Sequence, residues 1–493
     1  MTAASRTIRG LLLLLAGFGL LPATTSAHWL PQNDAHLRHD IQILADAGVI
    51  TGAMGTWPVP REALLPILHR PLPVESLDAR EVAAWFRVRR LLRAERGWYG
   101  NLRVKGVAGE AEPPAGLAWF GNANPEGSET SASAAYQGEG LSFRLTGSWV
   151  DDPADGREFR ADGSYLAAQL GNWIVSAGAV PTYWGPGWSG SLILGNAARP
   201  VPGLTVQRAE PKAFRLPVLE RLGPWTLHAF WGQLGSDRAV PRPHFLGARF
   251  AFQPSPRLEL GLSRTAIWDS PHTARGLLDL AIADRDRAQR RTTAEQMAGL
   301  DLRLAFPEHL WPWAAYLQHI GDSESGRLPT QHIGLFGLES WGTLANDASY
   351  RVFLEYADTT ARFYSSRKLF NSAYESGGLP SGHRHRDRPL GYATDNDSRL
   401  LTLGALYRAA NDHAATVKLQ VGTLNRDDSQ RAGAGGNVIA PHKLRLVDLE
   451  GGYRWPLRHG EAGLGAGMAR IDEAREGGAD WEGRAWLKYE YQF

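Results

Sequence analysis

The stretch Arg484-Ala485-Trp486-Leu487-Lys488-Tyr489-Glu490-Tyr491-Gln492-Phe493 sets the problem. Ala485, Leu487, Tyr489, Tyr491 and Phe493 fall on one face of an extended chain. Arg484, Trp486, Lys488, Glu490 and Gln492 fall on the other. A period of two marks a strand with one apolar and one polar side. The same alternation recurs upstream. Leu141, Phe143, Leu145 and Trp149 oppose Ser142, Arg144, Thr146 and Ser148. Leu300, Leu302, Leu304 and Phe306 oppose Asp301 and Arg303. Tyr350, Val352, Leu354 and Tyr356 oppose Arg351 and Glu355, and Val417, Leu419 and Val421 oppose Thr416, Lys418 and Gln420.

Two architectures use such strands. In a soluble sandwich or propeller the apolar faces share a core. In a membrane barrel they face lipid and the polar faces line a lumen. Segments of about 8–11 residues match a tilted crossing of the bilayer. Trp149, Trp225, Trp311, Trp313, Trp341, Tyr453 and Trp455 sit near strand ends, as in interfacial girdles. Connections alternate in length. Gly138–Gly140, Gly171-Asn172, Gln253–Arg257, Pro307–Leu310 and Ala409–His413 are short. Thr182–Pro211, Ala266–Met297, Thr359–Ser398 and Leu424–Pro441 are long and polar, as extracellular loops are. A closing amphipathic strand with a terminal Phe looks like the recognition signal of outer-membrane barrels. Phe493 is therefore expected to engage the barrel assembly machinery, and outer-membrane lipid to be a partner. Counted backwards from Phe493, nineteen strand candidates emerge, among them ones near residues 101, 115 and 212. A bacterial barrel closes with an even number, so about eighteen antiparallel strands are expected. Asn101–Val107 and Lys212–Leu216 are the weakest of the set.

Composition agrees. A mean hydropathy of −0.30 excludes a multi-pass helical membrane protein. A barrel needs only alternate residues to be apolar, so 43% hydrophobic content suffices. The absence of Cys excludes disulfides, Cys-ligated zinc, iron–sulfur clusters and a thiol nucleophile. At the N-terminus Arg6 and Arg9 precede the run Leu11–Leu21, and Thr25-Ser26-Ala27 follows. Residues 1–27 thus read as a cleaved signal peptide. Cleavage removes two of the 53 basic residues and none of the 51 acidic ones, so the exported chain is formally neutral. Nothing in that balance suits a nucleic-acid partner.

Residues 28–99 follow a different period and read as a small periplasmic helical bundle, with 100–493 as the barrel. Asn33 or Asp34 caps a helix whose stripe is Leu37, Ile41, Leu44 and Ala45, ended by Gly48. Pro60 suits a helix start. Asp78 and Glu81 have capping-box spacing ahead of Val82, Trp85, Phe86 and Leu92. Such a bundle has a thin core and must pack on something larger.

The segment Tyr183-Trp184-Gly185-Pro186-Gly187-Trp188-Ser189-Gly190-Ser191-Leu192-Ile193-Leu194-Gly195-Asn196 and its continuation to Arg208 resembles the signature of the Wzi capsule-assembly family. Leu44–Gly52 followed by Trp57-Pro58-Val59-Pro60-Arg61 resembles it too. The resemblance implies an outer-membrane barrel of eighteen strands with a periplasmic helical bundle at its base. It also implies a lectin-like role, attaching capsular polysaccharide or exopolysaccharide to the cell surface. No cofactor and no metal is implied.

Tyr183, Trp184, Trp188, Asn196, Arg199, Gln207 and Arg208 are candidate polysaccharide-binding residues. Exposed rings stack on sugar faces, while amides and guanidiniums bond hydroxyls and carboxylates. The same residues also suit inward packing, as a lumenal plug. His383, Arg384 and Arg386 belong to the basic run Gly382–Arg388 and are candidates for an acidic glycan. Asp284–Arg287 and Arg290-Arg291 read as a solvated loop. Gly463, Gly465 and Gly467 alternate on one face, leaving space for a large lumenal neighbour or bending the sheet. No Gly-x-Ser-x-Gly elbow, Walker loop or His-Glu-x-x-His occurs, so a non-enzymatic role is expected. The rival function is a diffusion channel for oligosaccharides or other small solutes, with lumenal charges as its filter.

Overall fold

The computed structural model describes residues 28–493 apart from 70–76, 95–96, 110–112, 123–126, 139, 269–293, 308–311, 323–329, 377, 430–435 and 476–477. Residues 1–27, read above as a signal peptide, Trp311 and the Asp284–Arg291 run lie outside the described residues.

Eighteen antiparallel strands close into one barrel. In chain order they are Gly97–Gly109, Glu129–Gln137, Leu141–Val150, Tyr165–Leu170, Trp173–Gly178, Gly203–Arg208, Trp225–Gln233, His244–Ser255 and Leu258–Trp268. Ala294–Ala305, Trp313–Asp322, Gln331–Thr343, Ser349–Asp358, Arg399–Arg408, Ala414–Leu424, Leu444–Leu457, Gly460–Glu473 and Ala479–Gln492 follow. Each pairs with its neighbours in sequence, and Phe159–Arg160 extends the short Tyr165–Leu170 stave along Leu141–Val150. The seam joins the first strand to the last, with Asn101 opposite Gln492 and Gly109 opposite Arg484. Phe493 locks that seam: its N–H donates to Gly100 O at 3.1 Å, and Gly100 N–H donates back to Phe493 O at 2.9 Å.

Alternation decides which face turns outward. Leu145, Trp149, Leu300, Leu354, Val417, Leu487 and Phe493 are exposed, while Arg249, Asp301, Arg303, Glu339, Arg351, Glu355, Asp448 and Arg484 are buried inside. An apolar outer belt of this extent is unsuited to water and suited to lipid. The charged interior is paired. Arg249 meets Asp301 at 2.5 Å, Arg303 and Arg351 share Glu339 at 2.6 and 2.7 Å, and Arg484 reaches Asp448 and Glu450 at 2.8 and 2.9 Å.

Asn101–Val107, among the weakest candidates, is a strand, part of Gly97–Gly109. Two other strand assignments differ from the sequence reading. The stretch near residue 115 is not a strand: Ala115, Leu117, Trp119 and Phe120 are apolar because they pack inside the lumen. Lys212–Leu216 is not a strand either. The sixth stave is instead Gly203–Arg208, inside the segment read as a long loop. It is only six residues long, too short to show alternation against its Gly- and Pro-rich flanks.

The helices plug the end of the barrel where the short turns lie. Asp34 caps Ala35–Asp46, accepting from the N–H groups of His36 and Leu37 at 2.9 and 3.1 Å. Asp78 and Glu81 exchange bonds in a capping box at the start of Ala79–Ala94. The first helix is buried on its polar side as well as its apolar one. Its polar residues face charged partners instead of water: Arg87 of the helix Ala79–Ala94 and Arg408 of the wall hold Asp40 at 2.6 and 3.3 Å, and Arg303 of the wall holds Asp46 at 2.6 Å. Arg454 pairs with Asp34 at 3.2 Å, and its charge, with that of Arg408, holds the Asp34 carboxyl well below its usual range despite burial.

Candidate functional site

From the loop end, the segment 183–196 descends into the lumen and meets the helical base. Tyr183 and Trp184 pair with Trp57 and Thr56 in a short ladder. Arg38 of the first helix donates to Pro186 O and Gly187 O, both at 2.7 Å. Trp188 is 1% exposed. Its indole N–H donates to Glu339 at 2.7 Å and its backbone N–H to Glu355 at 2.8 Å. The Arg38 and Arg351 guanidiniums lie 4.2 and 5.1 Å from its ring centroid, and Phe353 stacks at 5.9 Å. The Trp184 indole donates to His228 at 3.1 Å, and Gln318 clamps this stretch at Trp184 O and Leu192 N–H at 2.9 and 2.7 Å. Gly187 has no room for a side chain, since a Cβ there would lie 2.2 Å from Gly190 O. The segment is a plug.

The basic run folds over the plug. His383 donates through Nε2 to Ile193 O at 2.9 Å and stacks on Tyr374 at 5.9 Å. Burial drives its imidazole down to about 4, and the neighbouring Arg238 and Arg384 charges add to that. His385 falls to about 3 through burial beside Arg386 and Arg238. Arg384 is buried between Asp395 and Glu375, at 2.8 and 2.7 Å. Just beyond, Asp397 rises to about 8. Burial is the main cause; Asp427, Asp395 and Glu375 reinforce it against the N–H bond from Asn371.

The plug leaves one side of the lumen unfilled. A cavity of about 1180 Å³ runs along the seam, between the plug and the wall formed by the first three and last three strands. Its lining reaches Asp155, Arg386 and Arg388 at the loop end and Arg458, His459 and Phe493 at the base. Thirteen Lys or Arg and nine Asp or Glu line it, a local excess of positive charge in a chain with 53 basic and 51 acidic residues. At the loop end three arginines crowd one carboxylate: Arg199, Arg160 and Arg386 approach Asp155 at 2.7, 3.2 and 3.6 Å. Burial raises the Asp155 carboxyl, but the Arg199 hydrogen bond and the Arg160 charge outweigh it and hold it low. Arg386 is shifted down by burial and by the Arg199 and Arg157 charges. Its Nη1 makes no hydrogen bond among the described residues.

The family model of the capsule assembly protein Wzi matches residues 110–476 of the chain. The chain belongs to the Wzi capsule assembly family. A Klebsiella pneumoniae relative, an uncharacterised protein of the cps region, is 31% identical over 450 residues, covering 88% of this chain and 84% of its own. The solved Escherichia coli Wzi is 26% identical, with a TM-score of 0.79 over 94% of this chain and 99% of that one. It is described as an outer-membrane, carbohydrate-binding β-barrel involved in group 1 capsule assembly.

Within this Wzi-family barrel the ten candidate residues separate. Tyr183, Trp184, Trp188, His383 and Arg384 are buried in and against the plug, and no ring of the three aromatics faces outward. Gln207 is buried too, bonded to the Trp29 indole at 2.6 Å and to Pro58 O at 2.8 Å. Arg208 lies 3.6 Å from the Trp225 ring centroid. Asn196, Arg199 and Arg386 line the seam cavity. Residues the sequence reading did not nominate lie beside them: Lys105, Arg144, Arg160 and Trp486. The usable signal was the glycine alternation. A Cβ on Gly465 would lie 2.2 Å from the Trp486 ring, and one on Gly467 would lie 2.6 Å from the Arg484 guanidinium. The glycines make room for side chains of the last strand.

Proposed function

We propose that this protein is an outer-membrane, lectin-like barrel that holds capsular or exported polysaccharide at the cell surface without catalysing a reaction. The observation that carries the reading is the packed lumen of a Wzi-family barrel, occupied by the chain's own plug and bordered by a charged cavity. Such a body is built to hold a polymer. Repeats along the polymer raise the local concentration for rebinding, so weak contacts suffice. In this reading residues 28–99 form the periplasmic base, the long loops face outward, and Phe493 engages the barrel assembly machinery. The test is deletion of the gene with staining of cell-bound against shed polysaccharide. Loss of the cell-bound fraction is expected; unchanged retention would sink the attachment role.

A diffusion channel remains the second reading because the cavity lining includes residues from both ends of the barrel. Planar bilayers separate the two. The attachment reading expects no steady porin-sized conductance from the purified protein.

A further inference from the structure

The seam wall has a layout that strand pairing alone reveals. Lys105 lies opposite Lys488, Lys488 opposite Gly463, and Gly463 opposite Arg454. These positions form one lumenal row across four strands. At the other end of the row, Lys105 lies opposite Glu129, the first residue of its strand at the loop end. Arg454 lies near the short turn into Gly460. Because strands tilt in a barrel, the row climbs between the two ends of the lumen. Adjacent strands are about 4.8 Å apart, so the cationic groups are spaced along a line. These cations have partners of their own: Lys488 and Arg454 share Glu461 at 3.1 and 3.4 Å, Lys488 also meets Glu490 at 3.4 Å and Arg454 meets Asp34 at 3.2 Å, so the positive excess is that of the cavity lining as a whole.

Beside this row lies Trp486, opposite Gly465, which is itself opposite Gly452. The two glycines leave the ring resting on the sheet, with its Cζ2 2.2 and 3.7 Å from the positions their Cβ atoms would take. A large ring laid flat against a wall, in a cavity, presents its other face to whatever enters. Stacking of an apolar ring face and charge pairing are the two contacts an acidic sugar offers. The volume exceeds the range of about 300–1,000 Å³ that encloses drug-sized ligands, so a segment of several sugars fits.

We propose that the seam cavity binds a segment of a carboxylate-bearing polysaccharide lengthwise inside the barrel, with Trp486 as stacking platform and Lys105, Lys488 and Arg454 as the cationic track. The inference rests on the attachment reading and names both the site and the charge class of the polymer. The glycan then lies against the closing strands, and the plug segment 183–196 forms the opposite wall without touching sugar through Trp184 or Trp188.

The test uses the purified full-length barrel in detergent, titrated with hexagalacturonate and with neutral maltohexaose. Wild type is expected to bind the acidic hexamer at least tenfold more tightly than the neutral one, more weakly as salt rises. Trp486→Ala is expected to lose at least tenfold in affinity. Trp486→Phe should recover most of it, and Lys105→Gln should flatten the salt dependence. Heat-modifiable migration reports folding of each variant; if Trp486→Ala does not fold, the Phe and Lys105→Gln variants carry the test. Equal affinity for both hexamers, or wild-type binding and salt dependence in the folded variants, overturns the proposal. In cells the two readings part. Shedding on gene deletion, with full retention by Trp486→Ala and Lys105→Gln, keeps the attachment role and rejects the cavity as its site. Unchanged retention on deletion rejects the attachment role itself.

Discussion

The two halves of the lumen are built from the same kind of strand and put to different uses. On the side of Trp225–Asp358, wall charges are paired with each other and with the plug, and aromatic rings are buried among them. On the seam side, the wall carries glycines, rings and charges that face a cavity. Inward-facing polar residues in a barrel therefore do not define a pore. What matters is whether another part of the chain consumes their hydrogen bonds. The packed half fixes the plug, and the open half turns its charged groups toward a cavity.

The comparison can be broken most severely at the plug. Replacing both Trp184 and Trp188 by Ala removes two buried rings, each worth about 3–5 kcal/mol. The double variant is expected to lose its folded, heat-modifiable band as well as polysaccharide binding; intact migration with lost binding would return these rings to a sugar-contacting role. Glu339→Ala strands the Trp188 indole N–H and takes the shared carboxylate from Arg351 and Arg303, leaving Arg303 with Asp46. Removing one partner of a buried ion pair costs about 3–5 kcal/mol, and thermal unfolding followed by gel shift should report it. On the seam side Gly465→Val drives a side chain into the Trp486 ring. Overpacking of that kind costs about 1–3 kcal/mol, and the intrinsic fluorescence of the folded barrel should change as the ring is displaced.

Smaller effects come from pH. His383 and His385 take a proton near pH 6.5 when unfolded but resist to about 4 and about 3 when folded. Their contribution is full above about pH 6.5 and is lost as pH falls through the folded values. Asp397 keeps its proton up to about 8 when folded, against 3.8 unfolded. Its contribution is full below the unfolded value and is lost as pH rises through about 8. Proteolysis of the Thr359–Ser398 loop in the folded barrel should thus be slowest at about pH 6–7, and Asp397→Asn should flatten the alkaline limb. Least of all, Arg144→Gln should change stability within about ±0.5 kcal/mol, because among the described residues its guanidinium bonds the Ser133 hydroxyl alone, at 3.2 Å.

Much of the barrel was legible because lipid enforces alternation at each crossing, as Arg484–Phe493 and Leu141–Trp149 show. The caps at Asp34 and Asp78 were legible because capping is local. The plug was not, since a Trp that stacks on sugar and a Trp buried between arginines have the same neighbours in sequence. Trp188 was open to both readings until Glu339 and Glu355 were placed beside it, more than 150 positions away. Ala115–Phe120 misled for a related reason: an apolar run faces inward here, where a wall strand would turn it to lipid. Trp486 was passed over as one residue of a polar face, and only the register with Gly465 shows its surroundings.

The reciprocal bonds between Gly100 and Phe493 have a temporal consequence. The walls of the seam cavity come from strands at opposite ends of the chain, so they become neighbours only at the final step of sheet closure. Until that step the cationic row is divided between two unpaired edges, and no polymer can be gripped along it. Capture is thereby deferred until the barrel is complete.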